Sequence, residues 1–412
     1  MDDPIGIATS LRDLYLKYLD SALPLRDDCL MRERKHLFGP PGVLFQEPLL
    51  EPVPRYEETE TLAEACARMK LCPDLPNFAT CGLFPRERKL YRHQAAALQA
   101  VLVDRRHMVV TTGTGSGKTE CFFLPIFESL LRDSTSWDRE RPRAVRALLL
   151  YPLNALAEDQ IVRLRRATDS VGDGSKSGAR SWLDRHREEH RFYFGRYTGH
   201  TPVTRQKIID GRPNEAARRD LREFRRELQR LSYRVKGHAE LRYHFPSLDD
   251  GAAECWDRWT MQENPPDILV TNYSMLNIML MRGVEAPIFE KTRAWLEEDP
   301  WRKTPKRYPY PTRIFHLVVD ELHSYRGTPG TEVAYLIRLL LYRLGIEPDS
   351  PQVRFMASSA SLRANEAGRR YLKEFFGVSS DTTDPEVFAR SFALELFPNK
   401  FIVRCKALLG QK

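Results

Sequence analysis

The chain has 412 residues, 42% of them hydrophobic, and a formal net charge of +8. This is enough apolar material for one large domain with additions, and the absence of any run of 18 apolar residues argues against a membrane-spanning helix. The acidic start, Met1-Asp2-Asp3-Pro4, has no basic region leading into an apolar stretch, so no secretory signal is expected and a cytoplasmic location is.

Residues 1–85 read as an N-terminal accessory segment. Leu11, Leu14, Tyr15 and Tyr18 have helical spacing. Prolines at Pro40, Pro41, Pro48, Pro52, Pro54, Pro73 and Pro76 then interrupt the pattern, predicting an extended wrap or cap rather than a separate large domain. Cys66, Cys72 and Cys81 cluster here, but the chain has no C-x-x-C pair and their spacing does not suit a zinc site. Reduced structural thiols are expected.

From Leu90 the pattern changes to strands alternating with helices. His107 to Thr111 predicts a short strand running into a Gly-rich turn, and Glu120 to Leu131 a helix after it. Arg146 to Tyr151, Asp267 to Thr271, Ile314 to Val319 and Val353 to Ala357 are apolar runs of the buried parallel-strand type. A helix over Glu332 to Leu344 ends at Gly345, as a helix C-terminus should. The alternation predicts a doubly wound α/β domain over 86–365, with a parallel sheet and helices on both faces.

A long insertion, roughly 172–262, separates the second and third of these strands. Ala217, Leu221, Phe224, Leu228, Leu231 and Val235 form an a/d seam, and Arg218, Arg219, Arg222, Arg225, Arg226 and Arg230 occupy the other faces. Residues 161–244 hold 21 Lys/Arg against 11 Asp/Glu, so this segment carries the whole positive excess. By itself such a helix reads as a solvated charged face. Within a nucleotide-driven protein it reads as a surface for phosphate backbones.

Two short stretches carry the chemistry. Thr112-Gly113-Thr114-Gly115-Ser116-Gly117-Lys118-Thr119 places three glycines, a lysine and a hydroxyl between a strand and a helix. Backbone N–H groups converging on a helix N-terminus cradle phosphates, Lys118 can reach the β and γ phosphates, and Thr119 can ligate Mg²⁺. The strict pattern has glycine where Thr112 stands. The second stretch, Asp320-Glu321-Leu322-His323, follows the apolar strand. Asp320 is placed to hold Mg²⁺, Glu321 to deprotonate an attacking water, and His323 to couple this strand end to its neighbour. The expected cofactors are ATP and Mg²⁺.

These residues resemble the motifs of superfamily 2 helicases. Thr112 to Thr119 is similar to motif I, in which the first glycine is often replaced by a small residue, and Asp320 to His323 to the DExH form of motif II. The likeness implies a RecA-like P-loop fold. Leu90-Tyr91-Arg92-His93-Gln94 resembles the glutamine motif, which implies that Gln94 reads adenine. Tyr151 to Gln160 resembles motif Ia, implying a nucleic-acid contact near Asn154; Pro266 to Asn272 resembles the next contact loop, with Thr271 and Asn272 near phosphates. Ser359-Ala360-Ser361 is similar to motif III, which links hydrolysis to strand binding through Ser359 and Ser361. Tyr197-Thr198-Gly199-His200-Thr201-Pro202 and Leu322 to Gly327 resemble elements of DNA helicases related to the bacterial mitomycin-repair helicase and its RecQ-like relatives, although His200 stands where an acidic residue is expected.

The resemblance implies an ATP-dependent helicase or translocase on DNA. Phosphate contacts alone do not separate DNA from RNA. Residues 366–412 contain no Gln-x-x-Gly-Arg-x-x-Arg pattern, so they read as a tail without the second RecA-like lobe, and a partner chain or further sequence is expected to supply it. The rival expectation is a non-catalytic module that binds ATP and nucleic acid alongside a partner. A small-molecule kinase would share the phosphate loop alone.

Overall fold

The computed structural model describes residues 3–46, 56–378 and 392–396, apart from positions 114, 139, 173–177, 210, 236, 237, 239, 240, 250, 363 and 364. The chain divides into two compact units, one formed by Met1–Arg55 with Pro398–Lys412 and the other by Tyr56–Phe397. In the first, helices span Pro4–Ala22 and Asp28–Phe38. The Asp27 side chain caps the second by accepting from Cys29 and Leu30 N–H. Arg34 closes the turn between them, donating to Asp20 at 2.5 Å and to the Leu23 carbonyl at 2.6 Å.

The second unit is built on eight parallel strands: β1 (His107–Thr111), β2 (Ala147–Tyr151), β3 (Phe194–Tyr197), β4 (Glu254–Cys255), β5 (Ile268–Asn272), β6 (Phe315–Val319), β7 (Val353–Ser358) and β8 (Phe392–Leu396). Their order across the sheet is β8-β1-β7-β6-β2-β5-β3-β4. β1, β2, β6 and β7 are buried throughout, which is why each reads as a continuous apolar run. Alternation sends Met108, Val110, Leu149, Val318 and Met356 to one face, against Phe122, Phe123 and Phe127. Val109, Leu148, Leu150, Leu317 and Phe355 go to the other, against Met279, Ile337 and Leu341.

The helices that matter for the site are α1 (Arg92–Leu98), α2 (Lys118–Asp133), α3 (Asn154–Asp169), α4 (Glu215–Arg234), α5 (Tyr273–Met281) and α6 (Thr328–Leu344). α2, α3, α5 and α6 each follow a strand of the sheet, so the strand C-terminal ends and helix N-termini share one edge.

Three segments differ from expectation. Residues 56–85 belong to the sheet-containing unit, so the boundary expected near residue 85 lies inside it. Leu75 and Phe78 are fully buried, and the Phe78 ring lies 5.4 Å from Phe127 and 5.2 Å from Trp182. Prolines interrupt the helical period here without preventing burial. Cys66, Cys72 and Cys81 pack in this region as buried free thiols, and burial pushes the Cys66 thiol up to about 12.

The insertion is not only helical, because it supplies β3 and β4 to the sheet. Phe192, Phe194 and Tyr197 are fully buried there, and Arg191 before the strand and Arg196 within it mask so short a strand in the sequence. Its helix α4 forms as predicted. Ala217 and Leu228 of the seam are buried, Phe224 meets Trp256 at 5.7 Å between ring centres, and the six arginines are exposed. Finally, β8 pairs with β1 from Phe392 opposite His107 to Leu396 opposite Thr111, so part of the expected tail joins the sheet. Residues 397–412 lie outside the described residues.

Candidate functional site

The C-terminal edge of the sheet holds the residues singled out above. After β1 the chain turns through Gly115 (φ +74°) and Gly117 (φ +77°) into α2. These left-handed positions suit glycine. At Gly117 a Cβ would lie 2.4 Å from Gln94 Nε2, so a larger residue would also push that side chain aside. Gly117 caps α2 with no side-chain hydrogen bond, which leaves first-turn N–H groups of α2 without a side-chain cap. Thr112 is buried, and its hydroxyl bonds the Ser116 hydroxyl across the turn. Gly113 and Thr119 are half-buried, and Thr119 is the second residue of α2. Thr114 lies outside the described residues.

α1 braces this turn from behind. Gln94 is fully buried. Its Oε1 accepts from Tyr91 N–H at 3.0 Å and its Nε2 donates to the Gly117 carbonyl at 3.1 Å. Both ends of the amide are therefore engaged with the protein, and Gln94 holds the turn in position. His93 does the same, with Nε2 donating to the Ser116 carbonyl at 2.8 Å; burial holds its pKa below the ordinary histidine value.

The acidic stretch follows β6. Lys118 Nζ lies 3.6 Å from Glu321 Oε1, and His323 Nδ1 lies 3.2 Å from Glu321 Oε2. The Lys118 ammonium is buried and has no hydrogen-bond partner among the described residues. Glu321 has a left-handed backbone, φ 51° and ψ 49°, a costly conformation for a residue with a side chain. It turns the chain directly after Asp320.

β7, between β1 and β6, ties the two stretches together. Ser358 Oγ donates to Asp320 Oδ1 and accepts from Glu321 N–H at 3.1 Å. Burial raises the Asp320 pKa; the Ser358 hydrogen bond opposes that, the neighbouring Glu321 charge adds to it and Lys118 opposes it. Beyond β7, the Ala360 N–H donates to His323 Nδ1 at 3.4 Å, and Arg326 donates to the Ser361 hydroxyl at 2.9 Å. Ser359 is buried, and its hydroxyl accepts from Leu362 N–H at 3.2 Å. Lys118, Asp320, Glu321, His323, Ser359 and Ser361 therefore share one region. Ser358 and His93 were not singled out in the sequence, although both adjoin residues that were.

The loops after β2, β5 and β3 form the other half of the edge. Asn272 Nδ2 donates to Asn154 Oδ1 at 2.6 Å, and Asn272 Oδ1 caps α5 through Met275 N–H at 2.8 Å. α3 begins at Asn154 without a side-chain cap. Thr271 differs from expectation: it is fully buried, and its hydroxyl donates to the Tyr197 carbonyl at 2.7 Å. It sets the loop and does not itself face a phosphate. The turn after β3 is closed by Thr201, which accepts from Thr198 N–H at 2.9 Å, and leaves His200 exposed.

Residues 91–210 match the DEAD/DEAH box helicase family. The chain is 32% identical over 415 residues to Druantia protein DruE of Escherichia coli (strain UMEA 4076-1), covering 90% of this chain and 21% of that protein. It is 27% identical over 254 residues to the ATP-dependent helicase YprA of Bacillus subtilis (strain 168), covering 61% and 20% of the two chains. The chain thus spans about a fifth of the length of these relatives. Among solved structures, that of the DUF1998 helicase MrfA bound to DNA has a TM-score of 0.45 at 19% identity, covering 89% of this chain and 34% of that one.

Proposed function

From the match of residues 91–210 to the DEAD/DEAH box helicase family, we propose that the chain carries a superfamily 2 helicase domain and is the ATP-binding lobe of an ATP-dependent helicase or translocase acting on DNA. The observation that carries this reading is the buried Lys118 ammonium. It has no hydrogen-bond acceptor among the described residues and faces a carboxylate at 3.6 Å beside a helix N-terminus without a side-chain cap. A buried ammonium costs several kcal/mol unless acceptors surround it. A triphosphate tail is the group that fits this donor set, and the glycines leave room for it.

Mg-ATP would supply the phosphoryl group that water attacks. Lys118 and the first-turn N–H groups of α2 would bind its phosphates. Thr119 and Asp320 would hold the metal, with Ser358 keeping the Asp320 carboxylate in place. Glu321, turned between Lys118 and His323, is the base that takes a proton from water. His323 reports that event to the segment after β7 through Ala360 N–H, which is the coupling role expected of Ser359 and Ser361. Asn154, Asn272, the uncapped start of α3 and the arginines of α4 offer donors to a nucleic-acid backbone. The second lobe, and the arginines it would add to the γ-phosphate, are proposed to come from further sequence or a partner chain.

The test is ATP binding by the chain, together with DNA-stimulated hydrolysis in a chain extended by a second lobe. Lys118→Ala should abolish both. Hydrolysis unchanged by that substitution would overturn the proposal. Binding of DNA and ATP with no hydrolysis in the extended chain would favour a non-catalytic module, and stimulation by RNA alone would overturn the choice of DNA.

A further inference from the structure

The opposite edge of the sheet carries an unassigned feature. Arg354 is the second residue of β7 and lies in register with His316 of β6. It lines a cavity of about 740 Å³ at the N-terminal ends of these strands, walled by the C-terminal half of α2, the turn at Arg105 and the strap Tyr308-Pro309-Tyr310-Pro311. Arg354 is only 6% exposed, yet its guanidinium has no hydrogen bond or ion pair among the described residues.

The charges around it do not neutralise it. Glu128 is bound to Arg132 and accepts from Cys72 N–H at 3.3 Å; Asp133 is bound to Arg146 at 2.7 Å. His316 and His107 stay neutral, since burial pulls each down to about 3. Burial and the repulsion of a second cation, Arg105, pull Arg354 down to about 10. Arg105 is exposed and rests 3.5 Å over the Tyr310 ring. The strap is fixed: buried Asp299 accepts from Thr312 N–H at 3.1 Å and Arg313 N–H at 2.9 Å. A preformed cavity of nucleotide size, with an unpaired arginine at its base and aromatic rings on its wall, is built for an anion with a body attached.

We propose that this cavity binds a phosphate-bearing small molecule, its phosphate held between Arg354 and Arg105 and its body against the Tyr308–Pro311 strap. The site is separate from the phosphate loop, at the other end of the same strands, and does not depend on the ATP reading.

The experiment is thermal stability of the chain against inorganic phosphate, AMP and adenosine, in a Lys118→Ala background so that the phosphate loop does not report. Phosphate and AMP should raise Tm saturably and adenosine should not. Arg354→Met and Arg105→Gln should each weaken the apparent affinity about tenfold or more. In phosphate-free buffer Arg354→Met should melt no lower than its parent, because it removes a buried unpaired charge; should it fail to fold, the exposed Arg105→Gln decides alone. No saturable rise in the parent, or the same rise in both variants, overturns the site. A stronger response to AMP supports the strap contact, and an equal response to AMP and phosphate overturns that contact while leaving the phosphate site standing.

Discussion

The nucleotide end of the sheet and the basic helix of the insertion work by opposite arrangements. Where β1, β7 and β6 end, the polar groups are few and set close to one another: Lys118 faces Glu321 at 3.6 Å, Glu321 lies against His323, and Ser358 is bonded to Asp320. Along α4 the charges are many and exposed. Arg218 and Arg222 reach Glu215 at 3.4 Å and 4.0 Å, and Arg219, Arg225, Arg226 and Arg230 stand in solvent. In a low-dielectric pocket one hydrogen bond fixes a position and a protonation state. On a salt-screened surface each charge adds a small share to a collective field. The first region should therefore fail at a single substitution and the second only in sum.

The largest effect should come from Glu321→Gln. It keeps the shape beside Lys118 but removes the base, so DNA-stimulated hydrolysis in a two-lobe chain should fall on the order of 100-fold or more with ATP binding retained. Equal loss of binding would show that Glu321 holds the nucleotide and is not the base.

Next is the combined replacement of Arg218, Arg222, Arg225 and Arg226 by alanine. DNA affinity should drop, and the slope of log affinity against log salt should become shallower by about 3 if each arginine meets a phosphate. An unchanged slope would return α4 to the role of a solvated face.

Ser358→Ala comes third. Burial already holds Asp320 above its usual range, and the Ser358 hydrogen bond pulls the other way. Its loss should raise the Asp320 pKa further. Mg²⁺ needs the carboxylate, so Mg²⁺-dependent ATP binding should weaken several-fold at the acid end and its acid limb should move to higher pH. A limb that stays put would place the titration elsewhere. The smallest effect is Arg222→Ala alone, for which DNA affinity at physiological salt should change less than about threefold.

The same contrast explains what could be read in the sequence. β1, β2, β5, β6 and β7 were legible to within a residue because strands buried on both faces are apolar at most positions. β3 and β4 were not, since strands of four and two residues between charged neighbours give no period. Residues 56–85 hid their burial behind prolines. In the site, the phosphate loop and the acidic stretch stood out as motifs, but Ser358 did not. Which serine of Ser358-Ser359-Ala360-Ser361 meets Asp320 depends on strand parity and on where β7 ends, and both are set by pairing with β6. Gln94 and Thr271 were recognisable as motif positions, yet their inward hydrogen bonds depend on packing from distant segments.

The strand order has a last consequence. Because β7 separates β1 from β6, the strands that lead to the lysine and to the carboxylates lie two strand spacings apart, about 10 Å. Lys118 spans that gap only to 3.6 Å from Glu321, short of a hydrogen bond. Were the two strands adjacent, ammonium and carboxylate would collapse onto each other and seal the entrance. The intervening strand acts as a spacer that keeps opposite charges from quenching.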